Sequence, residues 1–98
     1  MPTVHIVLLK FKPDGDVDLC MRELAGLKAS IPGLQSFTCG PNTSTEGLSK
    51  GFTHAFTMVF ESASARDGYL PHPEHERVKA LIMKNIEAEG AQVFDYEV

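Results

Sequence analysis

Basic residues are scarce and scattered in this 98-residue chain: nine lysines and arginines stand against thirteen aspartates and glutamates, for a formal net charge of −4. No basic stripe exists to follow a phosphate backbone, so nucleic acid is not an expected partner. Long apolar runs are missing too. The longest aliphatic run is Ile6-Val7-Leu8-Leu9, far short of the ~20 residues a membrane-spanning helix needs, and no charged-then-apolar leader opens the sequence. These features predict a soluble, cytoplasmic protein without a membrane partner. Cysteine is limited to Cys20 and Cys39, with no CxxC spacing; two thiols in a reducing compartment are a simpler expectation than a disulfide. A serine or cysteine triad, a phosphate-binding glycine loop and a dinucleotide fingerprint are all absent, so no cofactor is indicated.

What is present fits a single domain, residues 1–98, able to bury roughly 60–65% of its unfolded surface. Residues 3–11, TVHIVLLKF, read as a strand with His5, Val7, Leu9 and Phe11 on one face and Val4, Ile6 and Leu8 on the other. Asp16 suits a helix N-cap, and Val17, Cys20, Met21, Leu24 and Ile31 recur at helical spacing until Pro32-Gly33. LQSFTCG at 34–40 and FTHAFTMVFES at 52–62 are the second and third strands, the latter placing His54, Phe56, Met58 and Phe60 on one face. Ser62 can cap a short helix bearing Arg66 and Tyr69. Pro73 suits the first position of a last helix, whose apolar stripe is His75, Val78, Ile82 and Ile86 and whose stop is expected at Gly90. AQVFDYE, 91–97, is the final strand. The order is that of an α+β, ferredoxin-like split βαβ fold.

Both faces of this sheet are apolar, yet the helices of one chain can cover only one of them. A second copy is therefore expected on the other, making a homodimer.

The histidines carry the chemistry. LPHPEH, 70–75, spaces His72 and His75 three apart, but no third ligand stands at a recognisable spacing, so no metal site is expected. Acid–base work suits His75 better. The helix dipole favours its neutral form, while Glu74 and Glu76 oppose that effect, and the sequence leaves the balance open. Tyr69 lies six residues upstream, where its phenol can donate a hydrogen bond to an oxygen while His75 removes a nearby proton. A tyrosine there equally suits simple packing, and the residue pattern does not separate the two roles. Val7, Leu9 and Phe56 suit the wall of an apolar cavity as well as they suit a core.

Taken together, VHIVLLKFK at 4–12, GFTHAFTMVFES at 51–62, YLPHPEH at 69–75 and VFDYE at 93–97 resemble the stress-responsive A/B barrel (Dabb) domain essentially end to end. The resemblance implies a dimeric α+β barrel. Members of that family include heat-stable, stress-induced plant proteins and a plant polyketide cyclase. By similarity to the cyclase, Tyr69 and His75 would be catalytic, and His5 and His54 would belong to the pocket. Val7, Leu9, Phe56, Leu24, Val78 and Ile82 would complete the binding wall for a small hydrophobic or aromatic polyketide-like ligand. In that chemistry His75 takes a proton from a methylene between two carbonyls of a poly-β-keto thioester, Tyr69 hydrogen-bonds the carbonyl, and aldol closure leads to an aromatic acid. Cys20, Met21 and Leu24 replace bulky aromatics of the cyclase, and the last helix is more polar, so the substrate does not carry over. The same family also implies an alternative, a non-catalytic stress-responsive or small-molecule-binding protein.

Overall fold

A computed structural model describes residues 1–98. Strand β1 (Thr3–Phe11) is followed by α1 (Val17–Ser30), β2 (Leu34–Pro41), β3 (His54–Phe60), α2 (Ala63–Tyr69), α3 (Pro73–Asn85) and β4 (Ile86–Glu97). The sheet runs in the order β2-β3-β1-β4, with every neighbouring pair antiparallel. This is the ferredoxin-like α+β arrangement, with all three helices on one face. No helix is long and apolar enough to cross a membrane.

Local capping explains where the helices begin. Asp16 accepts from the Leu19 amide at 3.1 Å and Ser62 from the Ala65 amide at 3.1 Å, each satisfying a donor that the first turn leaves unpaired. The cap of α3 is an imidazole: His72 Nδ1 accepts from the Glu74 amide at 3.1 Å, ahead of Pro73 at the first helical position. Gly33 joins α1 to β2 at φ +81°, where an added Cβ would lie 2.7 Å from that of Ala65, so the turn needs glycine on both conformational and steric grounds.

The end of α3 departs from the sequence reading. The helix stops at Asn85 instead of Gly90, and Ile86 begins β4 instead of ending the helical stripe. Asn85 is tied to the loop after β1: its carbonyl accepts from the Lys12 amide at 2.9 Å and its Oδ1 from the Asp16 amide at 2.8 Å. Those bonds hold its backbone while the chain turns into the strand.

The core lies between sheet and helices. Leu9, Met58 and Phe60 from the strands meet Cys20, Leu24 and Leu27 from α1 and Val78 from α3, all at most 1% exposed. The opposite sheet face has no helix. It presents Ile6, Leu8, Thr57 and Val59, half-buried, beside Phe94 at 65% and Tyr96 at 46% exposure.

Candidate functional site

A cavity of about 240 Å³ opens between the helix-covered face of the sheet and α3. Strand alternation sends His5, Val7 and Leu9 of β1 into it, with Phe56 of β3 beside them; Leu24 comes from α1, Tyr69 from the end of α2, and His75, Val78 and Ile82 from α3. The structure thus brings together every residue expected at the site except one. His54 shares the face of Phe56, but lies two residues before it, at the start of β3, opposite Leu9. There its ring packs edge-on against Phe11 at 5.1 Å and its Nδ1 meets Thr53 Oγ1 at 2.9 Å. It borders a second, more polar hollow of about 370 Å³ formed with Leu48, Lys50, Phe52 and Gln92. The smaller cavity is where the acid–base groups converge. No group of three or more histidine, cysteine or acidic residues lies close enough to hold a metal ion.

The turn between α2 and α3 sets the working geometry. The Leu70 carbonyl at the end of α2 faces His75 Nδ1 at 2.7 Å. A carbonyl only accepts, so Nδ1 carries the hydrogen and the neutral ring has its lone pair on Nε2, the base form. Glu76 Oε1, 3.8 Å from the same nitrogen and more than half exposed, adds little. His72 has the opposite tautomer, because its Nδ1 accepts from a backbone amide. Two histidines three residues apart thus divide the labour: one caps the helix, and the other faces the cavity.

Tyr69 lies against His75, with ring centroids 4.2 Å apart and planes inclined by 44°. It is 1% exposed, and burial pushes its phenol well above the ordinary tyrosine value, so it remains a hydrogen-bond donor at any working pH. Its hydroxyl has no partner within the chain. The one fully buried side-chain polar atom lacking a partner is Thr3 Oγ1, so the Tyr69 hydroxyl is open to the cavity. A base and a donor therefore stand side by side in a mainly apolar chamber.

His5 also packs against Tyr69, with 5.9 Å between ring centroids. His5 Nδ1 lies 2.7 Å from Asp95 Oδ1, and Asp95 Oδ2 accepts from the Arg66 guanidinium at 3.0 Å. Arg66 is raised above its usual value by its hydrogen bonds to Asp95 and Asp67. Sequence reasoning gave neither Asp95 nor Arg66 a role. The available signal was Asp95 in phase with Ala91 and Val93 in the last strand, an acidic residue that calls for a partner if that side is covered.

These features define a ferredoxin-like α+β protein with a mainly apolar cavity, lined in part by His5, Tyr69 and His75, between sheet and helices. The chain belongs to the stress-responsive A/B barrel domain family, whose model matches residues 3–98. It is 38% identical over 77 residues to a stress-response A/B barrel domain-containing protein of Arabidopsis thaliana, covering 78% of this chain and 69% of that one. Olivetolic acid cyclase of Cannabis sativa is 26% identical over 78 residues, covering 76% of this chain and 77% of the cyclase. The crystal structure of a dimeric ferredoxin-like protein of unknown function from Jannaschia sp. CCS1 superposes over 100% of both chains, with a TM-score of 0.89 and 32% identity.

Proposed function

We propose that the cavity is a cofactor-independent catalytic site for intramolecular aldol-type closure of a small polyketide-like substrate, with His75 as base and Tyr69 as hydrogen-bond donor. The observation that carries this reading is the 2.7 Å contact between His75 Nδ1 and the Leu70 carbonyl, which leaves Nε2 as the lone-pair nitrogen beside an unpartnered phenol. Nε2 takes the acidic proton of a methylene between two carbonyls, and Tyr69 donates to the carbonyl oxygen as negative charge develops there. A positioned base contributes about 10²–10⁴-fold, and holding both reacting carbons in one chamber supplies much of the rest. The likeness to olivetolic acid cyclase supports the same reaction class.

The protein acts as a homodimer in this reading, joined through the sheet face that no helix covers. Phe94 and Tyr96 stand exposed there, and the similar Jannaschia protein is dimeric. The second reading, a stress-responsive protein that holds a hydrophobic ligand without turning it over, is favoured by the Arabidopsis relative's name.

A thermal-shift titration with alkylated dihydroxybenzoates, as product mimics, tests the site. Ligand at 100 times its Kd stabilises the native state by ~2.7 kcal/mol, with each kcal/mol raising Tm by about 4–8 °C in a domain of this size. Saturable stabilisation that weakens in His75→Ala is the expected result. Identical shifts in the two proteins would place the ligand away from His75, and no shift would leave the stress-protein reading ahead.

A further inference from the structure

We propose that His5 is a second proton-carrying group of the cavity, complementary to His75, and that Asp95 and Arg66 are its positioning residues. The proposal rests on the cyclisation reading and extends it. His5 is 5% exposed and lines the cavity beside Tyr69. Asp95 accepts through one oxygen from His5 and through the other from Arg66, so three elements, β1, β4 and α2, converge to fix a single ring. Such a chain of charges in the wall of an apolar chamber costs desolvation that a leucine at the same place would not. Its structural product is an imidazole with Nδ1 committed and Nε2 free. Nε2 has no partner within the chain and is not among the fully buried unpaired atoms, so it opens to the cavity.

The two imidazoles differ in what holds Nδ1. His75 Nδ1 donates to a neutral carbonyl, which fixes the tautomer and adds no charge beside the ring. His5 is held by a carboxylate, which compensates a positive ring charge. The groups facing His5 are Asp95 on β4, with Arg66 of α2 behind it, the rings of Phe56 and Phe60 on β3, Tyr69 on α2, and His75 of α3 beyond Tyr69. Asp95 is the carboxylate in contact with the ring.

Aldol closure needs both groups. As the carbon–carbon bond forms, a proton leaves the nucleophilic carbon for His75 Nε2, and the electrophilic carbonyl oxygen takes a proton from His5 Nε2. His75 is then imidazolium and His5 neutral. Loss of water reverses the pair: His5 Nε2 removes the second proton from the same carbon, while the departing hydroxyl takes a proton from His75. Both rings return to their starting states, and no outside proton source is used.

The test is nitrogen NMR of the four histidines in the whole protein, with and without an alkylated dihydroxybenzoate. Movement of both His5 and His75 Nε2 signals on saturation is expected. Movement of His75 alone overturns the proposal while the site reading stands; movement of neither overturns both. In Asp95→Asn, the His5 ring-nitrogen signals are expected to move while the His75 signals hold, and turnover of a poly-β-keto thioester is expected to fall about 10²–10⁴-fold in kcat with little change in KM. Arg66→Lys, which keeps a cation on Asp95, is expected to retain more activity than Arg66→Ala. Unchanged His5 signals in Asp95→Asn, or equal activity of the two Arg66 variants, refute the positioning role.

Discussion

Replacing Tyr69 by phenylalanine removes one oxygen from the cavity wall and separates packing from chemistry at that position. The ring supplies the packing: it is 1% exposed and lies 5.2 Å from Phe60 and 4.2 Å from His75 between centroids. The hydroxyl supplies no hydrogen bond within the chain, so its loss leaves no buried group unsatisfied. Tyr69→Phe is therefore expected to stay within about 1 kcal/mol of wild-type stability, whereas Tyr69→Ala loses about 3–5 kcal/mol as the cavity grows. Turnover is expected to fall about 10²–10³-fold in the phenylalanine variant, the loss of one donor aimed at a developing oxyanion.

High pH supplies an independent arm. The phenol ionises near its ordinary value of 10.0 in the unfolded chain and only well above it in the folded one. Its contribution is therefore whole below pH 10 and is lost as pH rises beyond it, at up to about 1.4 kcal/mol per pH unit. Urea unfolding from neutral pH to pH 11 should show this extra decline in the wild type and not in Tyr69→Phe. Parallel profiles would mean that the phenol is not shielded. A loss above about 2 kcal/mol at neutral pH would mean that the hydroxyl is structurally engaged, and undiminished turnover would assign the donor elsewhere.

Two further outcomes are expected. Phe94→Glu, which places a charge on the uncovered sheet face, should convert a two-chain mass to a one-chain mass by light scattering at micromolar concentration; a wild type that is already monomeric refutes the dimer. Gly33→Ala forces an alanine to φ +81° and 2.7 Å from the Ala65 methyl, so its unfolding free energy should fall by on the order of 1–2 kcal/mol, read as a lower urea midpoint at unchanged slope. An unchanged midpoint would show that the turn relaxes freely.

Features set by neighbouring residues were legible in the sequence. Asp16, Ser62 and Pro73 mark helix starts because a cap reads only the next three amides, and β1 keeps its alternation because one period governs its nine residues. Alternation put Val7, Leu9 and Phe56 on faces that suit a cavity wall or a core alike, and the family resemblance supplied the set of pocket residues. Neither fixes which residues of one strand face share a cavity in this chain, which is why His54 was grouped with residues that it does not join. The end of α3 was misplaced for a related reason. Gly90 looks like a helix stop, but the actual stop is held by Asn85 reaching Asp16, 69 residues away in sequence. Arg66 and Asp95 escaped notice on the same ground, since only the fold brings them to 3.0 Å.

The misplaced segment also decides which residues form the site. Phe11 pairs with Ile86 and Leu9 with Ala91, so two steps along β1 correspond to five along β4, and the difference is an irregularity spanning 87–90. Glu89 has φ +57° within it, and a Cβ on Gly90 would lie 2.7 Å from the Glu87 carbonyl oxygen. An odd offset reverses the phase of a strand. Had β4 kept the phase of Ile86, its even positions would face the helices: Phe94 and Tyr96 would enter the chamber, and Asp95 would face away from His5. With the phase reversed, Ala91 and Val93 line the wall, Asp95 reaches His5, and the two aromatics stand on the uncovered face. One irregularity thus keeps the cavity open, supplies the carboxylate behind its second imidazole and makes the opposite face apolar enough to need a partner.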